Sequence, residues 1–359
     1  MVFENNLIHN LNEYKRHYPG FSFAPVLKSN AYGHGLVQVA QILKNQDFPF
    51  FVVDSLYEAI FLRAKGIRSP LLVIGYTSSE NIQNNHVPGV TFVITSLEQL
   101  QEIGQKITAE KKFHLKIDTG MHRQGILPKQ IETIIKIIRS NDLICLEGIC
   151  SHFADADGNS EEFTNFQITQ WNQTVEKFKK NFEAIKFFHI SATAGANYSD
   201  RLKGNVIRLG IGLYGINTSP FSRLNLKPAL EMRSVISSVK NLGKGDFVGY
   251  NITYKVPGES RIATVPVGYF EGVNRRLSNR GFFKIGNFPC PIVGRVSMNI
   301  TSVDVSLAPG AKLGDSVVVV SSNKDDKNSI ENIARLAETI PYEIMVHIPQ
   351  HLRRRVVKS

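Results

Sequence analysis

Short apolar runs rich in β-formers alternate with amphipathic, helix-spaced runs from the start of the chain to about residue 216, and few folds accept that pattern. The strand-like runs are Phe21–Leu27, Pro49–Val53, Leu71–Ile74, Thr91–Ile94, Phe113–Ile117, Leu146–Cys150, Phe187–Ile190 and Val206–Leu209. Between most of them the apolar residues recur at helical spacing, as in Ile131, Ile134, Ile135 and Ile138. About eight such strand–helix units predict an α/β barrel of the (β/α)8, TIM-like kind. After Asn217-Thr218-Ser219-Pro220 the chain turns to short runs punctuated by glycine and proline, with no helical period until Ile330–Ile340. The change predicts a barrel domain over 1–224 and a C-terminal, mainly-β domain over 225–359.

The polar residues that stand out follow strands rather than precede them: Lys28, Asp54, Lys116 with Asp118, His152, Thr193 and Arg208. In a barrel that is the end where active sites form. Lys28 closes the apolar run Phe23-Ala24-Pro25-Val26-Leu27 and opens the polar turn Ser29-Asn30-Ala31-Tyr32-Gly33-His34-Gly35. A partly desolvated lysine there can form a Schiff base with an aldehyde such as pyridoxal phosphate, and the nearby Tyr32 and glycines suit a phosphate, although the lysine alone also allows a snorkelling surface residue. A second strand ends in Lys116-Ile117-Asp118-Thr119-Gly120-Met121-His122-Arg123. Its guanidinium suits a bidentate grip on a carboxylate, although the residues alone also allow a surface arginine capping the next helix. His152, in Ser151-His152-Phe153-Ala154, reads as a hydrogen-bonding residue at a strand end.

Taken in order, these strings resemble the alanine racemases, and the likeness runs along nearly the whole chain. The resemblance implies a homodimer with shared active sites, dependent on pyridoxal 5′-phosphate, that interconverts L- and D-alanine and supplies D-alanine for peptidoglycan. Two bases would serve opposite faces of Cα: Lys28, which also carries the cofactor, and Tyr250 of the partner subunit, from the string Val248-Gly249-Tyr250-Asn251. Arg123 would meet the substrate carboxylate, positioned by Lys116, which is often carbamylated in the family. Met298, in Gly294-Arg295-Val296-Ser297-Met298-Asn299, would also lie at the substrate, with Tyr269 near the entry corridor.

His152 would link the catalytic tyrosine to Arg208, which in the family faces the pyridine nitrogen. An arginine cannot accept that proton, so the ring is a weaker electron sink, which suits racemisation over transamination or decarboxylation. Tyr32, Thr193, the backbone at Gly210 and Ile211, and Tyr342 would hold the phosphate. Three departures stand out: Thr193 and Ala192 replace the family's serine and asparagine, and Asn299 replaces an aspartate. A further departure is expected at the start, where the chain opens into the helix-like Asn6–Lys15 and family members begin with a strand joined to the β domain. A racemase of another small amino acid such as serine is the alternative on the same scaffold. A cofactor-binding protein without turnover would lack the β domain.

Composition narrows the partners. Forty-two basic against 31 acidic residues give a net charge of +11. The cations are spread along the chain, and the one dense run, Arg353-Arg354-Arg355 with Lys358, has no interleaved aromatics, so no nucleic acid is expected. A basic host proteome or attraction of an anionic cofactor and substrate explains the charge as well. No apolar run approaches the roughly 20 residues of a membrane span, the start lacks a basic-then-apolar leader, and Cys145, Cys150 and Cys290 form no CxxC pair. A soluble, cytoplasmic protein is expected, without a membrane partner and without a metal at its site.

Overall fold

The computed structural model describes residues 1–158, 160–220 and 222–358. The chain opens with a short strand, β1 (Val2–Phe3), paired in parallel with Val356–Val357 and bridged to Leu230. Helix α1 follows directly at Glu4–His17. The expected opening straight into a helix is therefore corrected: Val2 is fully buried and pairs with the tail, so a strand joined to the C-terminal part of the chain comes first.

The predicted barrel strands are all present: β2 (Ser22–Pro25), β3 (Phe51–Val53), β4 (Leu71–Val73), β5 (Val90–Ile94), β6 (Lys111–Lys116), β7 (Ile144–Cys150), β8 (Phe187–His189) and β9 (Val206–Leu209). Strands β3 to β8 are hydrogen-bonded in chain order, all in parallel. Strand β2 pairs with β9, setting Ala24 opposite Arg208. The ring closes at two seams. Leu27 N donates to Val52 O at 2.8 Å between β2 and β3, and Arg208 N donates to Ser191 O at 3.0 Å between β9 and the end of β8. Both faces of such strands are buried, which is why they read as near-continuous apolar runs.

The helices between strands start where the sequence places serines. Ser55, Ser96 and Ser160 each accept a hydrogen bond from the backbone three residues on, satisfying a donor that the helix cannot. Helix Ile131–Arg139 buries Ile131, Ile134, Ile135 and Ile138 as one stripe against the barrel. Beyond the barrel, one sheet runs in the order Met232–Val235, Ser316–Val320, Phe282–Ile285, Phe288–Pro291, and a second in the order Ser238–Leu242, Ser260–Val265, Thr301–Asp304. A hairpin of Phe247–Val248 with Tyr254–Lys255 projects Tyr250 at its tip. Helices Ile330–Leu336 and Pro341–Val346 return the chain to the barrel mouth. Among the described residues no helix is long and apolar enough to cross a membrane.

Among the described residues the longest run of left-handed backbone follows Lys28. Ser29, Asn30, Ala31 and Tyr32 take φ of 55°, 57°, 52° and 50°, followed by Gly33 at 79°, so Lys28 is delivered by a left-handed turn. Such a conformation costs L-residues roughly 1–2 kcal/mol each and persists only where its surroundings over-determine it. Here Glu58 Oε1 accepts from Ser29 N at 2.8 Å, Asn30 Oδ1 accepts from Leu36 N at 2.9 Å, and the Tyr214 ring stacks on Tyr32 at 5.0 Å. Gly33 is required twice over: its φ is positive, and a Cβ there would lie 2.0 Å from Met345 O. Gly33→Ala is expected to lower the urea-unfolding midpoint, with roughly 1–2 kcal/mol from φ alone and more from the backbone contact. An unchanged midpoint would contradict this account of the turn.

Candidate active site

The C-terminal ends of the barrel strands surround a cavity of about 290 Å³. A water takes up roughly 30 Å³, so a small organic molecule fits. Lys28, Tyr32, Lys116, Arg123, His152, Thr193, Arg208, Gly210, Ile211 and Tyr342 all line it. Tyr250, Met298 and Tyr269 do not. They sit on the β domain, 69%, 56% and 44% exposed, so the chain on its own does not bring them to the cavity.

Arg208 forms the floor and is buried, and no carboxylate pairs with it among the described residues. Its Nη1 donates to His189 O at 2.7 Å and to His189 Nδ1 at 2.6 Å; its Nη2 donates to Ser151 O at 2.8 Å, Ile190 O at 2.9 Å and His152 Nδ1 at 3.1 Å. Nε makes none of these contacts. An arginine only donates, so His189 Nδ1 must accept and its Nε2 carries the proton, which goes to His114 Nδ1 at 2.7 Å. The relay ends at His114 Nε2, buried without a partner. Burial first, then the Arg208 charge, hold His152 and His189 well below the usual imidazole range, and the same two causes take His114 down to about 3. These imidazoles are neutral and orient a cation. His189 and His114 had not been singled out from the sequence. The signal available was period-two spacing, since His114 lies two residues before Lys116 on β6 and so faces the same barrel interior.

Lys28 Nζ lies 3.6 Å from Asp54 Oδ1, with the lysine side chain 36% exposed, so its desolvation is only partial. Lys116, at the end of β6, has its pKa lowered by burial and by the cations Arg208, Arg123 and Lys28, against an opposing effect of Cys150. Arg123 is exposed at the mouth, on a loop shaped by Asp118 Oδ1, which accepts from Gly120 N at 2.9 Å and His122 N at 3.1 Å.

The far end of the cavity is lined by hydroxyls and backbone. Thr193 Oγ1 accepts from Gly212 N at 3.2 Å, and a Cβ on Gly210 would sit 2.8 Å from Tyr32 Oη and 3.8 Å from Thr193 Oγ1. Glycine thus keeps a space open between two hydroxyls. Burial raises the pKa of Tyr32 and pushes Tyr342 up to about 12, so both phenols stay protonated donors. Donors around a small space, with cations below, fit a phosphate dianion, and the nearby primary amine fits an aldehyde. The residues present therefore suit pyridoxal phosphate.

The family model for the alanine racemase N-terminal domain matches residues 3–218, and that for the C-terminal domain matches residues 229–356. The chain belongs to the alanine racemase family. Alanine racemases of Methanococcus maripaludis and Fusobacterium nucleatum are each 34% identical to it, covering 92% and 99% of this chain and 90% and 98% of their own lengths. The solved alanine racemase of Clostridium difficile 630 superposes with a TM-score of 0.91 at 31% identity, over 99% of this chain and 94% of that one. The Bacillus anthracis alanine racemase solved with bound L-Ala-P gives 0.90 at 29% identity, over the same shares. The family consists of amino-acid racemases, isomerases that generally depend on pyridoxal phosphate.

The buried imidazoles set a pH dependence. His34, His114 and His189 are 1%, 0% and 0% exposed, and burial takes His34 down to about 4. Unfolded, each takes up a proton near pH 6.5; folded, each resists it until well below. Between those values the unfolded chain binds more protons, so stability falls as pH falls, by up to about 1.4 kcal/mol per unit for each group. Urea midpoints are expected to drop steadily from pH 7 to pH 5. Equal midpoints at both would mean that these histidines are not buried neutral.

Proposed function

We propose that this chain, as a homodimer, interconverts L- and D-alanine with pyridoxal 5′-phosphate held at Lys28, in the cytoplasm, for cell-wall peptidoglycan. The observation that carries the reading is one amine in a cavity with a guanidinium at its mouth and a hydroxyl-and-amide cradle at its far end. The first suits an amino-acid carboxylate and the second a phosphate. Three unpaired cysteines support the cytoplasmic setting.

When bound, the cofactor stabilises negative charge on the α carbon. Arg123 holds the substrate carboxylate and so fixes which Cα bond faces each base, with Met298 of the partner subunit beside it. Lys116 beneath the site has its pKa lowered, chiefly by burial; carbamylation would turn it into an anion that steadies Arg123. Arg208, held in place by His152 and His189, would lie at the cofactor ring and offer it no base. Tyr32, Thr193, the backbone at Gly210 and Ile211, and Tyr342 bind the phosphate. Lys28 then moves a proton at one face of Cα and Tyr250 of the partner subunit at the other. Inversion needs two such bases, since a single one tends to return the proton to its original side. Tyr250 is exposed at a hairpin tip and outside its own chain's cavity, which is the placement such an exchange requires. Tyr269 of the partner subunit lines the entry. The boundary between the barrel and the β domain is taken at 224/225.

Purified protein with L-alanine in heavy water, followed by NMR and chiral chromatography, is expected to yield D-alanine with deuterium at Cα. Deuterium without D-alanine would leave a single-base enzyme and defeat the proposal. Tyr250→Phe is expected to lower racemisation by roughly 10²–10⁴, the scale of a lost acid–base group. Mixing Tyr250→Phe with Lys28→Ala chains should restore part of the activity through dimers with one intact site. No recovery in verified heterodimers would place the tyrosine in its own chain's site.

A further inference from the structure

Of the three consecutive arginines at the tail, Arg353 and Arg355 are exposed, whereas Arg354 is turned inward. Its Nε donates to Gly33 O at 3.1 Å, its Nη2 to Gly33 O at 2.8 Å and Ile348 O at 2.9 Å, and its Nη1 to Leu352 O at 2.7 Å and to Pro349 O. A guanidinium has five N–H donors in a rigid fork, and these contacts account for all of them. The acceptors are backbone carbonyls on two separate segments. Ile348, Pro349 and Leu352 follow helix Pro341–Val346, which carries Tyr342; Gly33 ends the left-handed turn that carries Lys28 and Tyr32.

We infer that Arg354 is a positioning residue for cofactor binding, clamping the turn of Lys28 and Tyr32 against the segment that follows Tyr342. The inference rests on the reading that these residues hold pyridoxal phosphate. Its physical basis is the strain already described: a run of left-handed residues relaxes unless held. Gly33 O is the last carbonyl of that run, and the clamp grips it with two N–H groups. Tyr32 and Tyr342 have ring centres 6.0 Å apart, so loosening either segment parts two donors meant for one phosphate. Affinity then falls with the fraction of chains holding the turn correctly, because the apparent dissociation constant is the intrinsic one divided by that fraction. Lysine cannot replace this arginine, since it lacks the planar fork. The tail itself does not depend on Arg354 for its place, because Val2 N donates to Arg355 O at 2.8 Å and β1 pairs with Val356–Val357.

The test compares the full chain with Arg354→Ala, Arg354→Lys and Arg355→Ala, each freed of cofactor. Measurements are equilibrium titration with pyridoxal phosphate, hydrogen exchange over residues 28–36, and urea midpoints. In Arg354→Ala the dissociation constant should rise at least tenfold, or about 1.4 kcal/mol. Amides of the turn should exchange faster, the urea midpoint of the cofactor-free chain should change little, and millimolar guanidinium should recover part of the affinity. Arg354→Lys should resemble Arg354→Ala, and provides the same comparison if that variant does not fold. Arg355→Ala removes the same charge one residue away and should change none of these. Unchanged affinity and exchange in Arg354→Ala overturn the clamp. Equal loss in Arg355→Ala overturns it too, by showing general attraction of the phosphate. If the unaltered chain takes up no pyridoxal phosphate, the cofactor reading fails instead, and hydrogen exchange alone decides whether Arg354 holds the turn.

Discussion

A guanidinium buried without a counter-ion lies where three strand ends meet, and the site is built around keeping it there. Removing a charge from water costs several kcal/mol unless its hydrogen-bonding capacity is met. Arg208 meets that demand with the carbonyls of Ser151, His189 and Ile190 and with two neutral imidazoles. These acceptors come from the ends of β7 and β8, while Arg208 itself stands on β9 opposite Ala24 of β2. The same contacts that solvate the cation therefore hold the barrel closed at its mouth. Among the described residues no carboxylate cancels the charge, so its field passes into the cavity, where it adds to the burial that lowers the pKa of Lys116.

Much of this was legible in the residue order. All eight barrel strands coincide with apolar runs read from the sequence, because strands buried on both faces cannot hide their composition. Lys28, Lys116, His152 and Arg208 were visible as polar residues following such runs, and they do converge on one cavity. The ends of strands were less legible. Phe21–Leu27 shrinks to Ser22–Pro25, beyond which Val26 and Leu27 still bond across to Leu209 and Val52 only as single bridges, and nothing in Ser-Asn-Ala-Tyr announces positive φ. The strand at Val2–Phe3 was missed because two residues carry no periodicity. His189 and His114 went unnoticed because a histidine within an apolar run reads as packing until its partner across the barrel is known.

The tail illustrates another boundary of sequence reading. Three consecutive arginines look like a solvated charge run, and two of them are. Which of the three turns inward depends on where Gly33 O happens to lie, a fact set by contacts hundreds of positions away. Tyr250 shows the converse case. Its exposure is uninformative within one chain and takes on meaning only in the proposed dimer. Local pattern thus conveys the scaffold and the groups on it, while long-range contacts decide which groups work together.

The bonds between Arg354 and Gly33 join residues 321 positions apart. A ribosome releases Lys28, its turn and the whole barrel long before it releases the residue that grips them. During that interval the turn after Lys28 has its contacts to Glu58 and Tyr214 but lacks the two hydrogen bonds to Gly33 O. The turn therefore gains this hold, as β1 gains its pairing with Val356–Val357, only once nearly every codon has been read.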